Sequence, residues 1–120
     1  MCLHTKWKKP KVAAKNIVVY KVLCTYSEYI ESPYQSFVYN LKELYETKLT
    51  KRKSLGGLGY NIFEGFHAFV SKKPDWEFEI HEKLYKCIIP KGSTYYISKD
   101  NKEIVADKII IKRKLWFNKF

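Results

Sequence analysis

Short runs of β-branched and aromatic residues recur along this chain and are separated by residues that favour turns. Residues 17–24 are almost entirely apolar, a pattern typical of a central strand buried on both faces. Residues 64–70 alternate in character, which places Phe66 on one face of a second strand and His67 on the other. Residues 84–90 predict a third apolar strand. The dominant period of two therefore predicts a β-sheet.

Weaker patterns predict further strands and turns. The strands are residues 36–39, 94–97, 103–105 and 107–115, with turns at residues 91–93 and 100–102. Residues 41–45 fit a helical turn or a strand, and a turn plus a strand is favoured. Residues 71–82 fit a short helix capped by Ser71 or Asp75, or an irregular stretch. The glycines of residues 51–59 could approach a phosphate, but a flexible basic connector is favoured. We therefore expect an α+β fold: a mainly antiparallel or mixed β-sheet of about seven short strands with one or two short helices.

A chain of 120 residues is long enough for one domain and leaves little room for a second. Residues 1–16 are rich in lysine and lack periodicity, so they predict a basic N-terminal arm, with a single globular domain over residues 17–120. No apolar run is long enough to span a bilayer, and no membrane partner is expected. Three widely separated cysteines predict neither a disulfide scaffold nor a zinc site, and they favour a reducing cytoplasm.

The charge of the chain is strongly positive. Lysine and arginine total 23 against 12 acidic residues, which gives a formal net charge of +11. Such a charge favours anionic partners, but only Arg52 and Arg113 carry the guanidinium fork that usually reads base edges in a duplex. The excess of lysine is either an anion-binding feature or a consequence of AT-rich codons. The composition leaves both explanations open.

Two positions within the predicted strands are candidates for ligand binding. Lys21 is the only charge in its apolar run, and a buried charge is costly unless it is paired. It therefore either extends to solvent or faces a cavity that holds an anion. His67 is either an ordinary packed histidine or a hydrogen-bond donor to a phosphate or ribose, with Phe66 stacked on a base.

The turn at residues 91–93 offers a third candidate. It combines a cation, a glycine and a hydroxyl after a buried strand, which suits a phosphate or an ordinary turn, and the neighbouring tyrosines could stack on a base. The candidate ligand-binding residues are Tyr20, Lys21, Phe66, His67, Lys91, Ser93 and Tyr95. The sequence contains no recognisable catalytic motif, metal-ligand spacing or cofactor motif, so no catalytic residue, metal or cofactor is predicted.

The order of the segments VVYKVL, EGFHAF, YKCIIPKGSTYY and KEIVADKIII, which spans residues 17–112, resembles a group of small proteins encoded by phages and prophages. More remotely, the order is similar to the ADP-ribosyltransferase fold. In that comparison Tyr20 and Lys21 match the first element, residues 65–67 the second and Glu103 the third, while Lys21 stands where an arginine or histidine is usual. The resemblance implies a nucleotide-shaped cleft and, for a phage protein, the cytoplasm of the host cell.

Three functions follow as hypotheses. The first is a non-enzymatic phage-type protein that sequesters a small anionic nucleotide-derived ligand, such as a signal of host antiviral defence, and that oligomerises through the aromatic residues 116–120. The second is an ADP-ribosyltransferase-like enzyme that uses NAD, with Glu103 as the acidic residue. The third is a lysine-rich module that binds single-stranded nucleic acid or an acidic host protein.

Overall fold

A computed structural model describes residues 3–25, 30–31, 38–53, 59–71 and 82–115. In this part of the chain 64% of the residues are in strands and none is in a helix, so the prediction of an α+β fold is wrong: the described part of the protein is all-β. The ambiguous residues 41–45 form a turn followed by a strand. The helix proposed for residues 71–82 falls almost wholly outside the residues that the structure describes. The strands are β1 (Leu3–Thr5), β2 (Lys11–Val12), β3 (Ile17–Thr25), β4 (Ile30–Glu31), β5 (Val38–Tyr39), β6 (Leu44–Glu46), β7 (Thr50–Lys53), β8 (Tyr60–Glu64), β9 (Phe66–Phe69), β10 (Glu82–Ile89), β11 (Thr94–Ile97), β12 (Glu103–Ala106) and β13 (Lys108–Lys114).

The strands form two antiparallel sheets. The larger sheet has ten strands, with the order β2-β11-β12-β9-β3-β10-β13-β6 and with β4 and β5 attached to β3. The smaller sheet has the order β1-β8-β7. Residues 1–16, expected to form an arm, supply β1 to the small sheet and β2 to the edge of the large one. Residues 51–53, expected in a mobile connector, belong to β7.

The centre of the large sheet is the long pairing of β3 with β10, which runs in register from Ile17 opposite Ile89 to Cys24 opposite Glu82. Val19 on β3 is fully buried, whereas its neighbour Val18 is 41% exposed. The expectation that this strand is buried on both faces is therefore wrong. Successive side chains point to opposite faces, and only one face carries the main core.

The main core lies on one face of the ten-stranded sheet and includes buried residues of β3, β5, β9, β10, β12 and β13. The ring of Tyr39 on β5 meets the ring of Tyr45 on β6 at 5.2 Å between centroids, nearly at right angles. This contact joins the two ends of the path β5-β4-β3-β10-β13-β6. These strands therefore curl around the core and bury it without a covering helix in the described part of the chain.

A second, smaller core lies between the two sheets and contains Leu3, Ile62, Tyr96 and Val105. The chain passes from the small sheet to the large one at Gly65, between β8 and β9. Gly65 has a φ of +137°, and a Cβ there would lie 2.4 Å from Cγ2 of Val105. Only glycine fits both this conformation and this space, so it sets the angle at which the two sheets meet.

Candidate functional site

Two regions contain the residues with functional chemistry. The first, which we call the central seam, is formed by Tyr20, Lys21, His67, Phe69 and Glu103 on the neighbouring strands β3, β9 and β12. Tyr20 is directly opposite Phe69, and Phe69 is directly opposite Glu103. Opposed residues in antiparallel strands share a face, so these three side chains form a row across the sheet. The row lies on the face opposite the main core, which we call the outer face.

Lys21 points to the other side of the sheet, into the main core. Its Nζ donates a hydrogen bond to the backbone carbonyl of His67 at 2.5 Å and lies 6.0 Å from the centroid of the Tyr39 ring. The residue as a whole keeps a partial exposure, but protein atoms surround its ammonium. Burial lowers the pKa of Lys21 to about 8, an effect that the nearby Cys87 thiol partly opposes. No described carboxylate pairs with this amine.

His67 has a buried Nε2 atom that finds no hydrogen-bond partner among the described residues. Burial, and secondly the positive charge of Lys21, lower the pKa of His67 to about 4. The imidazole is therefore neutral at pH 7. Its Nε2 atom can donate or accept one hydrogen bond, depending on the tautomer, but the ring carries no positive charge. A buried polar atom without a partner is uncommon, and it marks a position that a water molecule or a ligand can satisfy.

The other candidate residues of the sequence have different surroundings. Phe66 is 7% exposed and packs against Tyr39 with 6.4 Å between ring centroids, so its ring belongs to the core. Ser93 is fully buried, and its hydroxyl donates to the carbonyl of Pro90 at 2.6 Å. Lys91 is exposed in the predicted turn, and its backbone N–H donates to Asn16 Oδ1 at 2.9 Å.

The seven predicted residues therefore occupy two separate places. Tyr20, Lys21, Phe66 and His67 lie around the pairing of β3 with β9, whereas Lys91, Ser93 and Tyr95 lie in and after the turn that follows β10. Lys21 pairs with Tyr85 and Ile17 with Ile89, so the turn is at least four residues, about 13 Å, farther along the strands. The Lys21 ammonium is held in the main core by the His67 carbonyl, whereas Lys91 is exposed in the turn, so the structure does not bring the two amines together. Ligand binding at either place stays a prediction.

The second region, the basic face, is formed by Trp7, Lys8, Lys11, Lys51, Tyr60 and Tyr95, with Lys6 and Lys9 beside them. The Trp7 ring packs against Tyr95 with 5.9 Å between centroids and a 60° tilt. The ammonium of Lys11 lies 4.5 Å from the centroid of the Trp7 ring. A lysine, a tryptophan and a tyrosine therefore contact one another at the edge of the large sheet.

Lys51 extends this face onto the small sheet. Its ammonium lies 4.7 Å from the centroid of the Tyr60 ring and donates a hydrogen bond to the carbonyl of Lys8. The segment of residues 6–10 is held at both ends, because Thr5 Oγ1 donates to the Ile97 carbonyl at 2.7 Å and the Ala13 N–H donates to the Ser93 carbonyl at 2.8 Å. The basic face is thus part of the folded domain.

The electrostatics of the basic face are one-sided. The first 27 residues contain six lysines and no acidic residue. Five of these lysines are exposed, and none forms an ion pair with any residue that the structure describes: Lys6, Lys8, Lys9, Lys11 and Lys15. The sequence-based candidates included Tyr95 but missed Trp7, Lys51 and Tyr60. The segment Trp7-Lys8-Lys9-Pro10-Lys11 was the available signal, since it mixes a ring with closely spaced amines.

Other kinds of site are not indicated in the part of the chain that the structure describes. No group of three or more histidine, cysteine, aspartate or glutamate residues is arranged to hold a metal ion there. That part of the chain also contains no helix long and apolar enough to cross a membrane. The aromatic residues 116–120, predicted to form a subunit interface, lie outside it.

Comparison with known proteins gives no relative for this chain: no family model, no curated protein and no solved structure matches it.

Proposed function

We propose that this protein binds an anionic polymer on its basic face. The observation that supports the proposal is the set of four exposed lysines, Lys6, Lys8, Lys9 and Lys11, that lack acidic partners among the described residues. Strands β1 and β2 and two hydrogen bonds hold the backbone of this segment on the folded domain. When a polyanion binds these lysines it releases its condensed counterions, and this release contributes to the affinity.

The proposal predicts a steep dependence of affinity on salt. For a single-stranded nucleic acid the slope of log K against log salt is about −0.7 for each phosphate that is neutralised. We would measure fluorescence anisotropy of a labelled oligonucleotide, and of labelled heparin as a second polyanion, from low to physiological salt. A slope of about −2 to −4 is the result expected from three to five lysine contacts.

A matched pair of variants locates the binding surface. The test variant replaces Lys6, Lys8, Lys9 and Lys11 by glutamine, and the control replaces Lys83, Lys102, Lys112 and Lys114, which are also exposed. Both variants lose the same net charge. The test variant should flatten the salt slope, and the control should keep most of it. Equal loss in the two variants, or no binding of either polyanion by the wild type, contradicts the proposal.

A second candidate function is capture of a small nucleotide-type ligand on the outer face of the central seam. The observation that favours it is the buried, unpartnered Nε2 of His67 beside the row of Tyr20, Phe69 and Glu103. Calorimetry with cyclic and ADP-ribose-derived nucleotides tests this candidate, with His67→Phe expected to remove the heat. Incubation with NAD tests the related enzymatic hypothesis, because nicotinamide release should depend on Glu103. A panel without heat and without nicotinamide release ends both.

A further inference from the structure

We infer that the polymer bound by the basic face is a single-stranded nucleic acid whose bases stack on Trp7 and Tyr60. This inference rests on the proposed function and names the ligand class. It starts from the pairing of rings with amines: Lys11 lies 4.5 Å from the Trp7 ring and Lys51 lies 4.7 Å from the Tyr60 ring. Trp7 also packs against the second core, and both rings keep an exposed part that a ligand can reach.

The relative strengths of two contacts decide what each ring does when a ligand arrives. A lysine over an exposed aromatic ring contributes a factor of roughly 2 to 5 to an equilibrium constant. A nucleobase stacked on the same ring contributes a factor of roughly 5 to 150. A base therefore displaces the ammonium from the ring. The displaced Lys11 or Lys51 is then free to reach the phosphate next to that base, and the ion pair adds to the stacking.

The spacing of the two rings suits one strand. Thr5 is directly opposite Tyr60, and Trp7 follows Thr5 by two residues. Opposed Cα atoms are about 5 Å apart and two residues span at most about 8 Å, so the Cα atoms of Trp7 and Tyr60 are within about 13 Å. Both residues keep a partial exposure. Nearby nucleotides of a single flexible strand can therefore reach both rings.

Two other polyanions fit these features less well. A duplex keeps the faces of its bases inside the stack, so the rings could not reach them, and lysines are weak readers of groove edges. An acidic protein would satisfy the amines of Lys8, Lys11 and Lys51, but it offers no flat π-surface to Trp7 and Tyr60. Single-stranded nucleic acid uses both parts of the basic face, because every base has such a surface.

The test compares ligands that share a charge and differ in bases. A labelled oligo(dT) is bound to the protein and displaced by four unlabelled competitors. These are oligo(dT), an abasic phosphodiester of the same length, the corresponding duplex and heparin. We expect oligo(dT) to bind at least 10-fold more tightly than the abasic polymer. If the abasic polymer binds as tightly as oligo(dT), or the duplex binds more tightly, the inference is wrong while the proposed function stands. If nothing binds, the proposed function itself fails.

Ring variants provide the second readout. Trp7→Leu and Tyr60→Leu should each weaken oligo(dT) binding by roughly 5-fold or more and leave heparin binding unchanged. Trp7→Phe and Tyr60→Phe keep a ring and should retain most of the affinity. Equal losses for the leucine and phenylalanine variants would contradict stacking. Thermal melting checks that each variant folds, and the ligand comparison on the wild-type protein tests the inference even if a leucine variant does not.

Discussion

Lys21 in the central seam and the lysines of the basic face have the same side chain in opposite surroundings. The Lys21 ammonium lies within the main core with one described acceptor, the carbonyl of His67. Lys11 and Lys51 lie at the surface, beside the rings of Trp7 and Tyr60. In the core a charge weakens the fold unless it is satisfied, whereas at the surface it is available to a ligand. Net charge alone does not distinguish the two.

This contrast separates the expected effects of mutation. Changes to Lys21 and His67 in the central seam should alter the free energy of unfolding, since the Lys21 ammonium and the His67 Nε2 atom are buried. Changes to the exposed lysines of the basic face should alter binding and leave unfolding nearly unchanged.

The largest effect is expected at Gly65, which leads into the seam. Gly65→Ala places a Cβ 2.4 Å from Val105 and 2.6 Å from Leu49 at a φ of +137°, so strain and overpacking should together destabilise the protein by roughly 2–5 kcal/mol. Gly92→Ala is the matched control in the turn beside β2. Its φ is +90°, but a Cβ there meets nothing within 4 Å, so about 1 kcal/mol is expected. Urea unfolding measures both, and equal losses would refute the crowding argument.

The next effect compares a buried lysine with an exposed one. Lys21→Ala removes the packed aliphatic chain and leaves a cavity in the main core, which should cost roughly 2–4 kcal/mol of unfolding free energy. Lys9→Ala on the basic face should change it by less than about 0.5 kcal/mol. Chemical denaturation of the two variants beside the wild type checks the difference. A Lys21→Ala protein as stable as Lys9→Ala would show that the Lys21 side chain is not packed.

The pKa of His67 predicts a loss of stability in acid. It is about 4 in the folded protein and 6.5 in the unfolded chain, so between these values the unfolded state binds more protons. Stability should therefore fall as the pH drops from 6.5 to 4, by up to roughly 3 kcal/mol. His67→Gln should remove this part of the fall, and His4→Gln should retain it. Identical acid profiles for the wild type and His67→Gln would disprove the assignment.

The smallest effect is expected in alkali. The pKa of Lys21 is about 8 when folded and 10.5 when unfolded, so stability rises with pH as the buried amine loses its proton. Cys87 acts in the opposite direction above pH 9, because burial raises its pKa from 9.0 to about 12. A net gain of about 1 kcal/mol between pH 7 and 9 is expected, followed by a plateau. In Lys21→Met the gain should disappear; a gain that persists there must come from another group.

Many of the strand positions along the chain were predictable from the sequence. The apolar run of β3, the alternation of β9 and the segments of β10 to β13 follow from patterns of period two, and the turn at residues 91–93 follows from its glycine. The α+β fold class was wrong, and the strands within residues 1–16 and 50–53 were not predicted, for a physical reason. Short lysine-rich strands such as β2 and β7 have too few residues to show a period, and they form because a neighbouring strand supplies their hydrogen bonds.

The candidate site was less predictable. Sequence singled out Lys21 and His67 as unusual, and the structure joins them through one hydrogen bond. The side of the sheet to which each points depends on register, which a single sequence does not specify. The contact of Lys51 with Tyr60 and Lys8 joins three separate segments of chain, and no local pattern encodes such a meeting.

The pairing of β1 with β8 has a consequence for how the chain is made. Leu3 finds its partner only when Ile62 has been synthesised, and at about 5–20 residues per second several seconds separate the two. During that delay the hairpin of β7 and β8 does not yet exist, and the apolar Leu3 stays uncovered in the nascent polypeptide. The lysines that follow it repel neighbouring nascent chains. The lysines near Leu3 therefore place a strong positive charge beside an apolar side chain that is covered only late in synthesis.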